Sequence, residues 1–327
     1  MHSIAYNNDH GHVLCFHISF TFAYTASGLN GHSTTEAKPM PANDMTIVHL
    51  SEFHLQAADK EPTGIPYEDL LDGYGDALRT LDHLRTYVSE PDLFVVTGDL
   101  VLGSRNAEAG YPRLLELLEQ FKAEFDVPVL LALGNGDATE PFRRIVLGET
   151  GANLNKRHYY SHIVKGLKVI VLDSHAENQH YGEIDAEQLD WLQEDLAATP
   201  QIPHLLALHH PPGKIVLGHD QEELINVEQL AEVIQNYKVI GILSGHYHLS
   251  YLSYLAGVPN AVTNGICSTI TWSDPQNMLH ERIGGGYNLI HIRDDRMLVR
   301  FMDITSERTT LRWDKVEWHK LRPPREG

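Results

Sequence analysis

Six short apolar runs recur between Thr46 and Leu243, and five of them are followed at once by a knot of polar residues. The runs are Thr46–Leu50, Leu93–Thr97, Val127–Leu133, Leu167–Leu172, Pro203–Leu208 and Val239–Leu243. Their length and β-branched content describe strands buried on both faces. Between several of them, apolar residues return every three or four positions: Leu70, Tyr74, Leu78, Leu81, Leu84 and Val88, then Leu114, Leu117, Phe121 and Phe125, then Leu189, Leu192 and Leu196. That spacing predicts amphipathic helices packed on a sheet, and the alternation predicts an α/β layered domain. Gly73 and Gly75 weaken the start of the first helix and leave its N-terminal boundary open.

After His248 the pattern changes to strands without intervening helices, notably Val258–Val262, Tyr287–Ile292 and Met297–Met302. A second sheet closed by antiparallel pairing is the expectation. No solenoid repeat or low-complexity tract interrupts the chain, so one domain over residues 45–306 fits its length better than two independent ones. The charged stretch Glu307–Gly327, with Pro323-Pro324 near its end, is expected as a surface tail.

The 327 residues are 42% hydrophobic, enough for a large core, which excludes disorder as the main state. A formal charge of −19, from 25 Lys and Arg against 44 Asp and Glu, repels phosphate backbones and anionic lipid surfaces. Non-specific nucleic-acid binding and membrane association are therefore not expected. Cys15 and Cys267 are too few for a disulfide framework or a thiolate zinc cluster, which favours a reducing, cytoplasmic setting. Val13–Ala26 is apolar enough to imitate a signal-peptide core, but Asp9 and the lack of Lys or Arg before it argue against export. Residues 1–44 are expected as a poorly ordered extension or leader, with Gly28–Asp44 as its linker.

The polar knots are Ser51-Glu52-Phe53-His54, Gly98-Asp99, Gly134-Asn135-Gly136-Asp137, His209-His210-Pro211-Pro212 and Gly245-His246-Tyr247-His248. Strand C-termini are where ligands bind in α/β sheets, so five such clusters would converge on one rim. Singly, a Gly-Asp reads as an ordinary turn and a His pair as packing. As an ordered set they read as a metal site. Imidazole and carboxylate suit divalent Mn, Fe or Zn without choosing among them. A carboxylate such as Asp99 can bridge two cations about 3.5–4 Å apart, which activate a water for attack on a phosphate ester.

With these motifs in place, the sequence resembles the calcineurin-like metallophosphoesterases over roughly Met45 to Met302. It is similar in particular to bacterial class III cyclic-nucleotide and glycerophosphodiester phosphodiesterases. The supporting text includes Val171-Leu172-Asp173-Ser174, Leu189-Asp190-Trp191-Leu192, Ala207-Leu208-His209-His210-Pro211-Pro212 and Gly286-Tyr287-Asn288-Leu289-Ile290-His291. The resemblance implies a four-layer α/β/β/α sandwich, with two mixed sheets flanked by helices, and a dinuclear centre of two divalent transition-metal ions. One ion would take Glu52, His54, Asp99 and His248; the other would take Asp99, Asn135, His209 and His246. Asp99 and Asn135 would thereby belong to the catalytic set, and His210 would be a neighbour facing either substrate or packing.

Two positions depart from the family pattern. Glu52 stands for its first Asp, and its extra methylene alters the reach of the carboxylate. Gly136 stands for the His of the Gly-Asn-His motif, which removes a proton donor commonly worth about 10²–10⁴-fold in rate. Gly136 is expected to open space, for a bulkier substrate or for His175 or His210 to assume the lost role. The leading expectation is a metal-dependent phosphodiesterase of reduced activity acting on a small cyclic nucleotide or glycerophosphodiester. A catalytically impaired metal-binding regulatory protein is one alternative, and a phosphomonoesterase or pyrophosphatase of the same fold is another. The late strands and tail are candidates for a homodimer interface.

Overall fold

A computed structural model of the chain describes residues 4–7, 13–16, 44–60, 66–176, 179–213, 223–273, 278–304 and 310–314. Residues 1–39 and 40–327 form separate units. In the first, β1 (Ile4–Asn7) pairs antiparallel with β2 (Val13–Phe16). The apolar run Val13–Ala26 thus opens with a strand; the rest of it, and residues 28–43 of the expected linker, lie outside the described residues.

In the second unit, three of the expected buried runs become β3 (Met45–Leu50), β4 (Leu93–Thr97) and β5 (Val129–Ala132), parallel to one another. The other three become β7 (Leu167–Val171), β8 (His204–Ala207) and β9 (Val239–Ser244), also parallel, with β6 (Tyr160–Val164) antiparallel on the edge. Period two along each strand builds the layers. Ile47, Val95, Val169, Leu205 and Leu243 face a core shared by the two sheets. Val48, Phe94 and Val96 face outward against Leu81, Leu84, Leu114, Leu117 and Phe121 of the helices α2 (Gly73–Tyr87) and α3 (Ala107–Phe125). On the far side Ile170, Leu206 and Ile242 pack against α5 (Ala186–Ala197) and α6 (Val227–Ile234). Two shorter helices, α1 (Pro66–Leu70) and α4 (Thr139–Pro141), lie in connections. The layers run helix, sheet, sheet, helix, and each fully buried Leu or Phe contributes roughly 1.5–3 kcal/mol to holding them together.

Gly73 does begin α2. The Asp72 side chain accepts the Gly75 N–H at 3.0 Å, capping the helix and offsetting the helix-breaking tendency of the glycines. A Cβ on Gly73 would stand 1.8 Å from the Phe53 carbonyl oxygen, so the glycine lets α2 abut the loop after β3.

The late strands differ from expectation. They do not form a second sheet of their own: β14 (Gly286–Arg293) pairs antiparallel with β3 and carries β15 (Arg296–Asp303) on its other side. By contrast β11 (Val258–Val262) runs parallel beside β9, followed on the edge by β10 (Tyr251–Leu255). Both main sheets are therefore mixed, in the orders β15-β14-β3-β4-β5 and β10-β11-β9-β8-β7-β6. A third, small sheet joins β12 (Ser268–Ser273), β13 (Met278–Ile283) and β16 (Thr310–Asp314). That last strand falls inside the stretch expected as a surface tail. Strand pairing partners are long-range choices, so local patterning located β11, β14 and β15 without assigning them to sheets, and it did not mark β10, β12, β13 or β16.

Candidate metal centre

The loops after β3, β4, β5, β8 and β9 carry the five polar knots and meet at one end of the two sheets. Backbone bonds align the first two loops, with Glu52 N–H donating to Gly98 O at 3.1 Å and His54 N–H to Asp99 O at 3.0 Å. Across the sheets, the His209 Nδ1–H donates to the Thr97 carbonyl at 2.7 Å. A carbonyl only accepts, so that contact leaves the Nε2 lone pair of His209 facing the centre.

The donor atoms gather in two groups. His54 Nε2 lies 3.2 Å from Glu52 Oε2, 3.2 Å from His248 Nε2 and 3.5 Å from Asp99 Oδ2, and His248 Nε2 lies 3.2 Å from Glu52 Oε2. His209 Nε2 lies 3.0 Å from Asn135 Oδ1, 3.1 Å from His246 Nδ1 and 3.5 Å from Asp99 Oδ1. Asp99 turns one oxygen to each group. Ligand atoms about 2.0–2.1 Å from a tetrahedral ion stand about 3.3–3.4 Å apart, so both groups have the spacing of a coordination shell. Electron-rich atoms packed this closely repel unless protons or cations lie between them, and the imidazole and carboxylate donors suit divalent metal ions.

Backbone strain marks the same residues. Glu52, His54, Asp99, His246 and His248 have φ of 60°, 47°, 50°, 72° and 50°. Each left-handed non-glycine residue costs about 1 kcal/mol or more, and such costs concentrate where function over-determines the backbone. The glycines between them make room. A Cβ on Gly245 would meet Ser51 Oγ at 2.0 Å and Glu52 Oε1 at 2.7 Å, and one on Gly265 would lie 3.0 Å from the Glu52 Cβ. This space accommodates the longer carboxylate at position 52. Its Oε1 accepts from Ser51 Oγ at 2.7 Å and from the His246 N–H at 2.6 Å, leaving Oε2 for His54 and His248. Burial alone would push the Glu52 carboxyl up, but the imidazoles of His209, His248 and His54 around it hold it well below the usual carboxylate range.

Gly136 is enclosed rather than open, contrary to expectation. Its N–H donates to Asp99 Oδ1 at 2.6 Å, and a Cβ would stand 2.8 Å from the Val101 carbonyl and 3.1 Å from that same Asp99 oxygen. The neighbouring Asp137 turns inward instead, accepting the Gly134, Leu100 and Val101 N–H groups at 2.8 to 3.2 Å. Burial and Asp99 raise its carboxyl to about 7 against the pull of the Gly134 and Leu100 amides.

His210 lies behind the donors. Its Nε2–H donates to the His180 carbonyl at 3.1 Å and its Nδ1 lies 2.9 Å from Ser174 Oγ, so both ring nitrogens are engaged. Burial, then the neighbouring His246 and His209, lowers its basicity well below the ordinary histidine value. His175, half-buried, is held at its backbone carbonyl by the Arg157 guanidinium at 2.9 Å. Burial lowers its pKa, and Asp173 and then Asp99 oppose that effect.

Some residues at the centre have no metal-site signature in the sequence. The Cys267 thiol has its sulfur within 4.8 Å of a ring nitrogen of His54 and of His248. Burial, with Asp76, Glu52 and Glu281 nearby, pushes that thiol well up and keeps it neutral, and it packs with Leu71, Leu102 and Ile283. The adjacent Ser268 places its Oγ 2.7 Å from His248 Nδ1. Only Gly265, where the chain comes close to Glu52, hints at this approach.

The donors gathered at the strand ends of this four-layer sandwich form a candidate divalent-metal site. Residues 45–250 match the model of the calcineurin-like phosphoesterase family, and the chain belongs to that family. It is 33% identical over 256 residues to a Rhodococcus erythropolis protein named "Probable cyclic nucleotide phosphodiesterase", covering 77% of this chain and 81% of that one. It is 32% identical over 260 residues to a cAMP/cGMP dual specificity phosphodiesterase of Mycobacterium tuberculosis, covering 79% of each. A 28% identical relative in Arcobacter nitrofigilis, covering 62% of this chain and 72% of that one, is named a probable glycerophosphodiester phosphodiesterase. Among solved structures, a dimetal phosphatase from Danio rerio shares the fold with a TM-score of 0.51 at 16% identity, covering 81% of this chain and all of that one. No helix among the described residues is long and apolar enough to cross a membrane.

Proposed function

We propose that the chain is a dinuclear-metal phosphodiesterase acting on a small phosphodiester, a cyclic nucleotide or a glycerophosphodiester. The observation that carries this reading is the Asp99 carboxylate, with Oδ2 3.5 Å from His54 Nε2 and Oδ1 3.5 Å from His209 Nε2. Glu52, His54, Asp99 and His248 would hold one ion; Asp99, Asn135, His209 and His246 would hold the other. When bound, the ions would supply a nucleophilic water at neutral pH and neutralise charge on the phosphoryl oxygens. The chain's own part is to orient the donors. Thr97 aims His209, Gly136 N–H and the two donor groups aim Asp99, and the Ser51 hydroxyl and His246 N–H aim Glu52. The names of the relatives support the diester as substrate class.

No side chain at position 136 can protonate the leaving oxygen, and His210 has both ring nitrogens engaged. This predicts a rate that rises steeply as the leaving group becomes more acidic, because an absent general acid costs most where the leaving group is poorest. The same feature favours a second reading, a metal-binding regulatory protein with little turnover. Purified full-length chain, loaded with Mn²⁺, would be assayed on bis(p-nitrophenyl) phosphate, cyclic AMP, glycerophosphoethanolamine and p-nitrophenyl phosphate. Diester turnover above an Asp99→Ala control supports the enzyme. Metal uptake without turnover of any diester favours the regulatory reading, and preference for the monoester moves the substrate class.

A further inference from the structure

The family match ends at residue 250, yet the segment that follows β11 is bonded into the centre. Ile266 N–H donates to Ser51 O at 3.0 Å, Cys267 N–H to Glu52 O at 3.3 Å, and Ile270 N–H to His248 O at 2.7 Å. The start of β12 is thereby joined to the loops that carry Glu52, His54 and His248. In register, Ser268 lies opposite Ile283 and Ile270 opposite Glu281, so Ser268 and Glu281 are diagonal neighbours across β12 and β13. Both are fully buried.

We infer that Glu281, acting through the Ser268 hydroxyl, is a positioning residue that fixes the proton on His248 Nδ1 and so presents Nε2 as a metal ligand. The inference rests on the dinuclear reading of the centre. The proton assignment follows from donor bookkeeping. The Ser268 Oγ lies 2.8 Å from Glu281 Oε1, and a carboxylate accepts only, so the single hydroxyl hydrogen goes to Glu281. The serine oxygen is then left with lone pairs. His248 Nδ1, 2.7 Å away, must carry the hydrogen it shares with Ser268, and the Ser268 carbonyl at 3.3 Å can only reinforce that state. The weak contact from the Cys267 sulfur at 4.0 Å also finds Ser268 Oγ as acceptor. With Nδ1 protonated, the neutral ring offers its lone pair at Nε2, the atom 3.2 Å from both Glu52 Oε2 and His54 Nε2. A carboxylate behind a ligating imidazole sets both its tautomer and its basicity. Here the carboxylate is supplied by the small sheet that follows the matched region.

The test is a Co²⁺ titration of the full chain, metal-free at the start, following the visible ligand-field absorption and bound metal per chain. Wild type, Ser268→Ala, Ser268→Thr and Glu281→Gln would be compared, each with its metal-free thermal midpoint. Ser268→Ala and Glu281→Gln are expected to weaken one binding step by about 10–100-fold and change its absorption, while the other step stays within about threefold. Ser268→Thr, which keeps the hydroxyl, is expected to bind as wild type does. Variants that bind as wild type overturn the inference, as does a parallel loss of both steps with a lowered midpoint, which marks support of the fold alone. If Glu281→Gln does not fold, the Ala and Thr pair at 268 decides by the same criteria. A wild-type chain that takes up no Co²⁺ overturns the dinuclear reading itself, whereas two bound ions with unaffected variants overturn only the role of Glu281.

Discussion

His209 Nδ1 and the Thr97 carbonyl oxygen lie 2.7 Å apart although His209 follows a strand of one sheet and Thr97 ends a strand of the other. This bond ties the two layers of the sandwich together at the centre, as does the His246 N–H to Glu52 Oε1 bond. It also commits His209 to the tautomer that leaves Nε2 free of hydrogen, opposite Asn135 and Asp99.

Metal ions that bind only the folded chain should stabilise it by mass action. At a free Mn²⁺ concentration about 100 times the dissociation constant, each site contributes about 2.7 kcal/mol. Added Mn²⁺ is expected to raise the thermal midpoint of wild type, and a chelator to reverse the rise. Asp99→Ala should show little of either, because both donor groups lose an oxygen. An equal Mn²⁺ response in that variant, followed by scanning calorimetry, would count against Asp99 as the shared ligand.

Replacing Gly136 should destabilise the chain rather than repair it. The Cβ of Gly136→Ala would stand 2.8 Å from a backbone carbonyl, and overpacking of this kind costs about 1–3 kcal/mol. Gly136→His should fare no better, with a lower urea midpoint and no gain in diester turnover. A histidine variant of native stability and higher activity would show that the enclosure relaxes at little cost.

Shortening Glu52 should weaken metal binding even though the family pattern has aspartate at that position. Glu52 Oε1 is held by Ser51 Oγ at 2.7 Å and His246 N–H at 2.6 Å, and the glycines at 245 and 265 shape the space for the longer side chain. In Glu52→Asp the carboxylate retracts from one partner set or the other, and a loss of about 10–100-fold in affinity is expected for one ion. Equilibrium dialysis against Mn²⁺ reads this directly, and tighter binding than wild type would refute it.

Acid should unfold the metal-free chain partly through His49. This ring is fully buried between Thr97 Oγ1 at 3.0 Å and Asn288 Nδ2 at 3.4 Å, and burial lowers its pKa from 6.5 to about 3. Between those values the unfolded chain binds a proton that the folded chain does not, so stability rises with pH across the window and is lost as pH falls below 6.5. From pH 7 to pH 5 the loss from this site is about 2 kcal/mol. His158, lowered to about 4 by burial and Arg143, acts in the same direction. Urea titrations at the two pH values should give a smaller loss for His49→Gln than for wild type; equal losses would show that His49 is not responsible.

The buried strands and the helices α2, α3 and α5 were legible because apolar periodicity is local, and their residues report burial without knowing their partners. The meeting of the polar knots was legible for a related reason. Glu52, His54, Asp99, Asn135, His209, His246 and His248 each follow a strand end, so their convergence follows once the strands are parallel neighbours. Ser268 and Glu281 carried no such signal. Their strands β12 and β13 are apolar and polar in no pattern that points to a metal, and their relation to His248 exists only when residues 20 and 33 positions further along fold back onto its loop. The reading of Gly136 as open space failed because a missing side chain says nothing about what backbone stands opposite, here the Val101 carbonyl.

By itself the sequence determined the layered α/β class, the order of the strands and the chemical kinds of donor at their ends, since these depend on spacing and side-chain type within short segments. Tertiary structure alone decided which sheet the late strands join, which nitrogen of His209 and His248 faces inward, and that Glu281 stands behind His248. Those choices belong to contacts between distant segments, where hydrogen-bond direction and close packing are set only after the sheets have paired.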